Sequence, residues 1–480
     1  MERGCGVLLP ISSILNKFGF GCFSEEAFQF VDYLCDLGVK YWQILPLGIV
    51  DSVASPYSSV SSYAGEPLYI NLREYLTDDE IKSFGLNDEL SFDDYRERKH
   101  QALKLVYEKF GASLDDKQFI SENKNWVYDY ALYMTMSVEF KTGFSNFSDE
   151  YKDINSEAVK QFKQSHKKEI KYQIFLQFLF FSQWFKLKSY ANKNGVKIIG
   201  DIPIYCALDS SDVFAGRENF LLNKKGLPTY ISGVPGDYFN PDGQIWNNPL
   251  YNYKFMKQNS FKWWVARLKH LSKLYDLVRI DHFRGFATYF AIPYGDTNTK
   301  RGIWMKGPGM SIFEAFYANG IKNLILEDLG VYSNSTRVLR KKTGLAGMKV
   351  MQFAFDGNPD NVHLPQNCEK NSVAYLGTHD NDTFVGFLSD LDQKALVCEY
   401  FNIPKNTSDE TVTKIAIEEL LSTASDIVVL TMQDILFEGR EFRINTPGTS
   451  NGNWLYKLDP DYRENEFNKY LKELIKIKNR

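Results

Sequence analysis

Eight short apolar runs, rich in β-branched residues, recur along this chain of 480 residues, separated by longer stretches with helical periodicity. That alternation is the pattern of βα units whose strands pair in parallel. The runs are Val7–Leu9, Tyr41–Leu45, Lys197–Ile204, Leu277–Asp281, Leu324–Asp328, Met348–Ala354, Ser372–Thr378 and Ile427–Met432. Eight is the number that closes a (β/α)8 barrel of TIM type. The predicted fold is therefore an α/β barrel with helical and irregular insertions around its rim. Three of the runs lead into a carboxylate, at Asp281, Glu327 and Asp380. Barrel enzymes gather catalytic groups at the carboxyl ends of their strands. Acids converging there point to acid–base and covalent chemistry at an acetal, and so to sugars.

The gaps between strands are unequal. About 150 residues separate Leu45 from Lys197, far more than one crossover helix needs. Most of this stretch is charged and helix-periodic, so residues 75–195 are read as a mostly helical insertion. A second insertion, residues 208–255, is rich in Gly, Pro, Asn and Tyr. It follows the third strand on the rim that carries the acids, and long rim loops are commonly functional. With no repeat or flexible linker in the sequence, residues 1–480 are read as one catalytic barrel.

Composition excludes several functions. A formal net charge of −4 leaves no basic footprint for nucleic acid. No stretch approaches the ~20 apolar residues of a membrane span, and no apolar leader follows Met1-Glu2-Arg3-Gly4-Cys5. The six cysteines are scattered without a CxxC pair, which fits reduced thiols and a cytoplasmic location. A monomer or weak homo-oligomer is expected. Aromatic residues make up 15% of the chain, enough to furnish sugar platforms as well as a core.

A retaining glycosidase site needs a carboxylate nucleophile and, about 5–5.5 Å away, a protonated carboxylic acid. The nucleophile stays ionised in a partly dry pocket only if a cation holds its pKa down. Arg279 stands two residues before Asp281, on the same face of an extended strand, and meets that need. Glu327 is then the candidate acid, raised by neighbouring negative charge. Asp380 is a candidate for gripping hydroxyls and stabilising an oxocarbenium-like transition state, with His282 and His379 as hydroxyl donors. Taken singly, each motif has a plainer reading. Arg279 and Asp281 could be a structural ion pair, and His379-Asp380-Asn381-Asp382 a turn or a metal-ligand cluster. Asp328, beside Glu327, should face the other way.

The chain resembles 4-α-glucanotransferases of the amylomaltase, or disproportionating, type, in the wider α-amylase clan. The resemblance covers nearly the whole length, in order: Gly6-Val7-Leu8-Leu9, Trp42-Gln43-Ile44-Leu45-Pro46-Leu47, Ser55-Pro56-Tyr57, Gly200-Asp201-Ile202-Pro203-Ile204, Arg279-Ile280-Asp281-His282-Phe283-Arg284-Gly285-Phe286, Glu327-Asp328-Leu329-Gly330, Gly377-Thr378-His379-Asp380-Asn381-Asp382-Thr383 and Gly452-Asn453-Trp454. It implies Asp281 as nucleophile, Glu327 as general acid/base and Asp380 as transition-state stabiliser. Arg279, His282, His379 and Asp201 are implied as supporting residues, and Tyr57 as a stacking residue near the cleavage point. Tyr238 and Phe239 resemble a mobile loop over the acceptor subsites, with Gln244, Trp246 and Asn248 behind it. Asp356 and Asn453 match donor-side or supporting positions. The implied substrates are maltooligosaccharides and α-1,4-glucans, as donor and as acceptor, with no metal and no organic cofactor.

The chain departs from that pattern at Gly65-Glu66-Pro67, where the family has Gly-Asn-Pro; the Glu is expected to add a charge near the rim. It departs again at Asn240-Pro241-Asp242 and at Leu455-Tyr456-Lys457. Rival readings are an α-glucan hydrolase with the same acids, a non-catalytic glucan-binding barrel and, more distantly, a metal-dependent hydrolase.

Overall fold

The computed structural model describes residues 1–50, 54–236, 242–330, 333–449 and 451–480. Among the described residues the strands are β1 (Gly4–Leu8), β2 (Tyr41–Gln43), β3 (Lys197–Ile202), β4 (Tyr230–Val234), β5 (Gln244–Pro249), β6 (Leu277–Ile280), β7 (Thr288–Pro293), β8 (Ile303–Lys306), β9 (Leu324–Leu326), β10 (Ala346–Val350), β11 (Ser372–Tyr375) and β12 (Ile427–Thr431). Eight of these close a barrel in the order β1-β12-β11-β10-β9-β6-β3-β2, every neighbouring pair parallel. Each overlaps one of the eight apolar runs. Apart from the first residues of β3 and β6, all their residues are buried, as a barrel covered on both faces requires.

The strands end earlier than their apolar runs. β10 stops at Val350, and Met351–Phe353 turns into a 3-10 helix. β11 stops at Tyr375, so His379 and Asp380 stand on the turn that follows rather than on the strand. That turn is set by Asn381, whose side-chain oxygen accepts from Thr378 N at 3.0 Å and from Thr378 Oγ1 at 2.8 Å. Hydrophobicity marks where a strand is buried; the local side-chain bond decides where it stops.

Between β2 and β3 the chain forms several helices, the longest Lys167–Lys193. This helix buries Phe180 and Trp184 and leads directly into β3. Two of its glutamines point into the structure and grip the backbone of the β2 rim loop. Gly65 N donates to Gln177 Oε1 at 2.8 Å while Gln177 Nε2 donates to Gly65 O at 2.9 Å. Gln183 makes the same paired bond to Asn71, at 2.7 and 3.1 Å. Gly65 has no room for a side chain, since a Cβ would lie 2.1 Å from the Phe180 ring. The helical insertion therefore braces the loop that carries Tyr57.

Glu66 does not add a charge to the rim: it is buried, 2% exposed. Its two oxygens accept from Val50 N at 3.0 Å and Leu68 N at 3.1 Å, and burial pushes its carboxyl up. A carboxyl at this position accepts two backbone N–H groups, one with each oxygen, and both would otherwise be costly orphans.

The second insertion is less irregular than its composition suggests. β4 and β5 lie in it and pair antiparallel. β4 then pairs with β7, and β7 with β8, so the loops after β3 and β6 build one four-stranded sheet, β5-β4-β7-β8. Isolated short strands give a weak sequence signal, because their partners come from a different part of the chain.

Candidate active site

Arg279 organises the centre of the barrel mouth. It sits on β6 opposite Asp201 of β3 and is 3% exposed, while Asp201 is fully buried. Its Nη1 donates to Asp201 Oδ2 at 2.5 Å, and its Nε reaches Met348 Sδ at 3.4 Å. Nη2 lies 3.2 Å from Asp281 Oδ1 and 3.9 Å from Glu327 Oε2. One nitrogen thus faces both acids, and those two oxygens are no more than about 7 Å apart. Asp201 is held in place from behind: Gly200, beside it, lies so close to Tyr275 that a Cβ would meet the ring at 2.2 Å.

Asp281 and Glu327 lie one residue beyond their strands, yet both remain in the barrel ladder. Asp281 N donates to Ile202 O at 3.0 Å, and Glu327 N to Ile280 O at 3.1 Å. His282 then adopts a left-handed conformation, φ 51°, which turns its N–H onto Glu327 Oε2. Phe283 N donates to Glu327 O at 3.0 Å. A left-handed non-glycine residue costs about 1–3 kcal/mol and persists where its surroundings over-determine it. Here the bonds from the following turn fix Glu327 at backbone and carboxyl alike.

Tyr57 joins two further parts of the site. Its hydroxyl donates to Asp201 Oδ2 at 2.8 Å and lies 2.9 Å from His379 Nε2, with the two rings stacked at 5.2 Å. Because the phenol proton goes to Asp201, the phenol oxygen accepts from His379 Nε2–H. That tautomer leaves Nδ1 as the lone-pair nitrogen, which agrees with its having no partner among the described residues. His379 Nε2 also lies 3.4 Å from Asp380 Oδ2. Asp380 is held from its other side by Asn445, whose Nδ2 donates to Oδ1 at 2.6 Å, and by Arg443, which donates to its backbone carbonyl. Trp454 lies 5.6 Å from Tyr57 and 6.1 Å from His379, ring centre to ring centre.

The charges are unequal in their surroundings. Side-chain exposure rises from 16% at Glu327 to 29% at Asp281 and 42% at Asp380. Burial, then the Asp281 charge, pushes Glu327 well above the ordinary carboxyl range. Burial also raises Asp281, but Arg279 opposes it, while Asp201 and Asp380 add to the rise. Since Asp281 is nearer the guanidinium and more open to water, the first proton to leave the pair comes from Asp281 and Glu327 keeps its own. Burial drives His282 down to about 4 and lowers His379, so both imidazoles are neutral and can donate hydrogen bonds.

The structure therefore brings together Asp281, Glu327, Asp380, Arg279, Asp201, Tyr57, His282 and His379. Trp246 joins them through His282, edge to face at 4.9 Å, and Gln244 accepts from Trp246 Nε1 at 3.0 Å. Asn248 holds the loop after β3, donating to Cys206 O at 3.1 Å. The other two candidates make local bonds. Asp356 is exposed and accepts from Asn358 N at 2.9 Å. Asn453 ties its own loop, accepting from Thr446 N at 2.8 Å and donating to Thr449 O at 2.9 Å. Tyr238 and Phe239 lie outside the described residues. Asp328 faces away as expected, 3.0 Å from Arg340 Nε and accepting from Met348 N at 2.8 Å. Sequence reasoning missed the grip of Arg443 and Asn445 on Asp380; the stretch Arg443-Ile444-Asn445-Thr446-Pro447-Gly448 was visible, but its partner is remote in sequence. Among the described residues no group of three or more His, Cys, Asp or Glu is arranged to hold a metal ion, and no helix is long and apolar enough to cross a membrane.

A closed parallel barrel with partly buried, unequal carboxylates at its mouth defines an enzyme of the sugar-processing barrel class. The family model described as 4-alpha-glucanotransferase matches residues 9–462. A 4-alpha-glucanotransferase of Clostridium butyricum is 41% identical, covering 98% of this chain and 99% of that protein. One of Aquifex aeolicus is 34% identical over 99% of each. The structure of an amylomaltase from Streptococcus agalactiae in complex with acarbose superimposes with a TM-score of 0.94 at 33% identity, covering all of both chains. The chain belongs to the 4-alpha-glucanotransferase family, whose members transfer segments of α-1,4-glucans.

Proposed function

We propose that this enzyme moves α-1,4-glucan segments from a donor to the 4-hydroxyl of an acceptor glucan or glucose, by retaining double displacement through a glucosyl ester of Asp281. The observation that carries this reading is the single Nη2 of Arg279 facing both Asp281 and Glu327. Glu327 gives its proton to the glycosidic oxygen as an Asp281 oxygen attacks the anomeric carbon. The leaving segment departs carrying that proton. The acceptor's 4-hydroxyl then attacks the same carbon, the bond to Asp281 breaks, and Glu327 takes the hydroxyl proton. Two inversions retain the α configuration. Asp380, with His379 Nε2 3.4 Å from its carboxylate, binds ring hydroxyls and favours positive charge at the transition state. Tyr57, Trp454 and Trp246 supply aromatic surface around the acids; an acceptor held there competes with water through effective concentration. Free cysteines throughout the described residues support a cytosolic setting.

Maltotriose alone is the test. Glucose together with a ladder of longer maltodextrins is the expected product set; glucose and maltose without longer chains would replace transfer by hydrolysis. The pH dependence follows from the pair. Turnover needs Asp281 ionised and Glu327 protonated, so activity falls on the acid side as Asp281 gains its proton and on the alkaline side as Glu327 loses its own. The Asp281 charge is one cause of the high Glu327 value, so removing it in Asp281→Asn should move the Glu327 titration to lower pH. Carboxyl carbon NMR of the two proteins would show it, and an unmoved Glu327 resonance would contradict the coupling.

A further inference from the structure

Arg267 is a buried cation that gives its hydrogen bonds to backbone carbonyls rather than to an acid. It stands on the helix Lys262–Leu274 and is 2% exposed. Its Nη2 donates to Pro203 O at 2.7 Å and its Nη1 to Ile204 O at 3.1 Å. The guanidinium lies over the Trp264 and Trp263 rings, 5.0 and 5.5 Å from their centres, in cation–π geometry. Its Nε finds no acceptor among the described residues, so the fork is aimed by the two carbonyls. Taking a guanidinium out of water is costly, and an apolar side chain of similar volume would fill the space at lower cost. Packing alone does not account for it.

The two carbonyls belong to the segment that leaves β3 and passes beside Asp281. Just before them, Ile202 O accepts from Asp281 N at 3.0 Å. Ile204 and Tyr205 lie against the turn that follows Asp281 and His282. A Cβ on Gly285 of that turn would meet Ile204 Cδ1 at 2.6 Å and the Tyr205 hydroxyl at 3.3 Å. The Tyr205 ring reaches Trp246, 6.3 Å from centre to centre, and Trp246 packs edge to face on His282. A second donor supports the same place, since the Tyr251 hydroxyl gives its proton to Ile204 O at 2.7 Å. The segment is not packed solidly on every side. A cavity of about 40 Å³ is lined by Asp201, Ile202, Pro203, Tyr205 and Cys206 together with Arg267. With room beside it, hydrogen bonds rather than close packing fix where the segment lies.

We infer that Arg267 is a positioning residue for the transfer reaction, given Asp281 as the nucleophile proposed above. By fixing the carbonyls of Pro203 and Ile204 it sets the place of Ile204 and Tyr205. Through them it sets the turn that holds His282 between Asp281 and the Glu327 carboxyl. Arg267 touches no reacting atom and acts through this segment. A shift of about 1 Å in reacting groups can cost ~100-fold in rate, so a small settling of the segment into the cavity is enough to be felt.

The test compares the wild-type enzyme with Arg267→Met and Arg267→Lys by maltotriose kinetics and by 19F NMR of 5-fluorotryptophan-labelled protein. In Arg267→Met, kcat is expected to fall roughly 10- to 100-fold with little change in KM. The Trp246 resonance, assigned as the one missing after an added Trp246→Phe change, should shift. That of Trp454, which packs near Tyr57 and His379, should stay in place. Arg267→Lys, whose ammonium lacks the planar fork, should lie between the wild type and Arg267→Met. A lower melting temperature with wild-type kcat and an unmoved Trp246 resonance would make Arg267 a structural tie only, and overturns the inference. Should Arg267→Met fail to fold, Arg267→Lys decides by the same two readouts, and wild-type values of both overturn it. If Asp281→Asn keeps near-normal transfer, the nucleophile reading fails instead, and the Trp246 resonance still reports whether Arg267 holds the turn.

Discussion

Asp281→Asn is expected to lower maltotriose disproportionation by about 10⁴-fold or more, equivalent to some 5–6 kcal/mol of transition-state stabilisation. The amide fills the same space but cannot form the glucosyl ester. The same change is expected to leave the fold as stable or more so. Burial and the Asp201 and Asp380 charges make an ionised Asp281 unfavourable in the folded protein, and only Arg279 offsets them. Arg279 keeps its contact with Asp201 in the variant, so its positive charge is not stranded. Loss of activity with an unchanged or higher melting temperature separates a catalytic carboxylate from a structural ion pair, whose removal would weaken the fold. Near-normal transfer, or a marked drop in melting temperature, would sink the assignment.

The barrel was legible because its eight strands are buried on both faces and therefore read as continuous apolar runs. Arg279 and Asp281 were legible because a strand places residues two apart on one face, and the structure puts Nη2 3.2 Å from the carboxylate. What the sequence hid depends on contacts distant along the chain. The β4–β7 pairing joins two separate rim loops, and no local pattern in either names the other. Asn445 reaches Asp380 across 65 positions, and Gln177 reaches Gly65 across 112. The Glu66 reading failed for a related reason. A charged residue type suggests solvent, but two backbone N–H groups were waiting inside, and satisfying them outweighs the preference for water. Even the position of Asp380 shows the limit: hydrophobicity carried the strand to Thr378, while the structure ends it at Tyr375.

Arg279→Met is expected to damage both stability and chemistry, and the two effects can be told apart. The guanidinium is the cation facing Asp201, Asp281 and Glu327 together. Taking it away leaves Asp201 buried, with Tyr57 and the backbone N–H of Ile202 as its remaining hydrogen-bond donors. Breaking a buried pair in this way costs about 3–5 kcal/mol, which the midpoint of denaturant unfolding would register. On activity the sign follows from Asp281. Arg279 is the force that lowers its pKa against burial, so without it Asp281 holds its proton to higher pH and the acid limb of the rate profile moves in the alkaline direction. An α-maltosyl fluoride donor isolates this effect, because fluoride leaves without help from the acid. With that donor the variant should need a higher pH than the wild type to reach its plateau. Arg279→Lys should restore part of the stability but little of the rate, since one ammonium cannot contact Asp201 and face the two acids in the fixed geometry of a guanidinium. A Met variant with a wild-type acid limb would show that Arg279 is only a structural tie to Asp201, and the nucleophile would need another source of its charge.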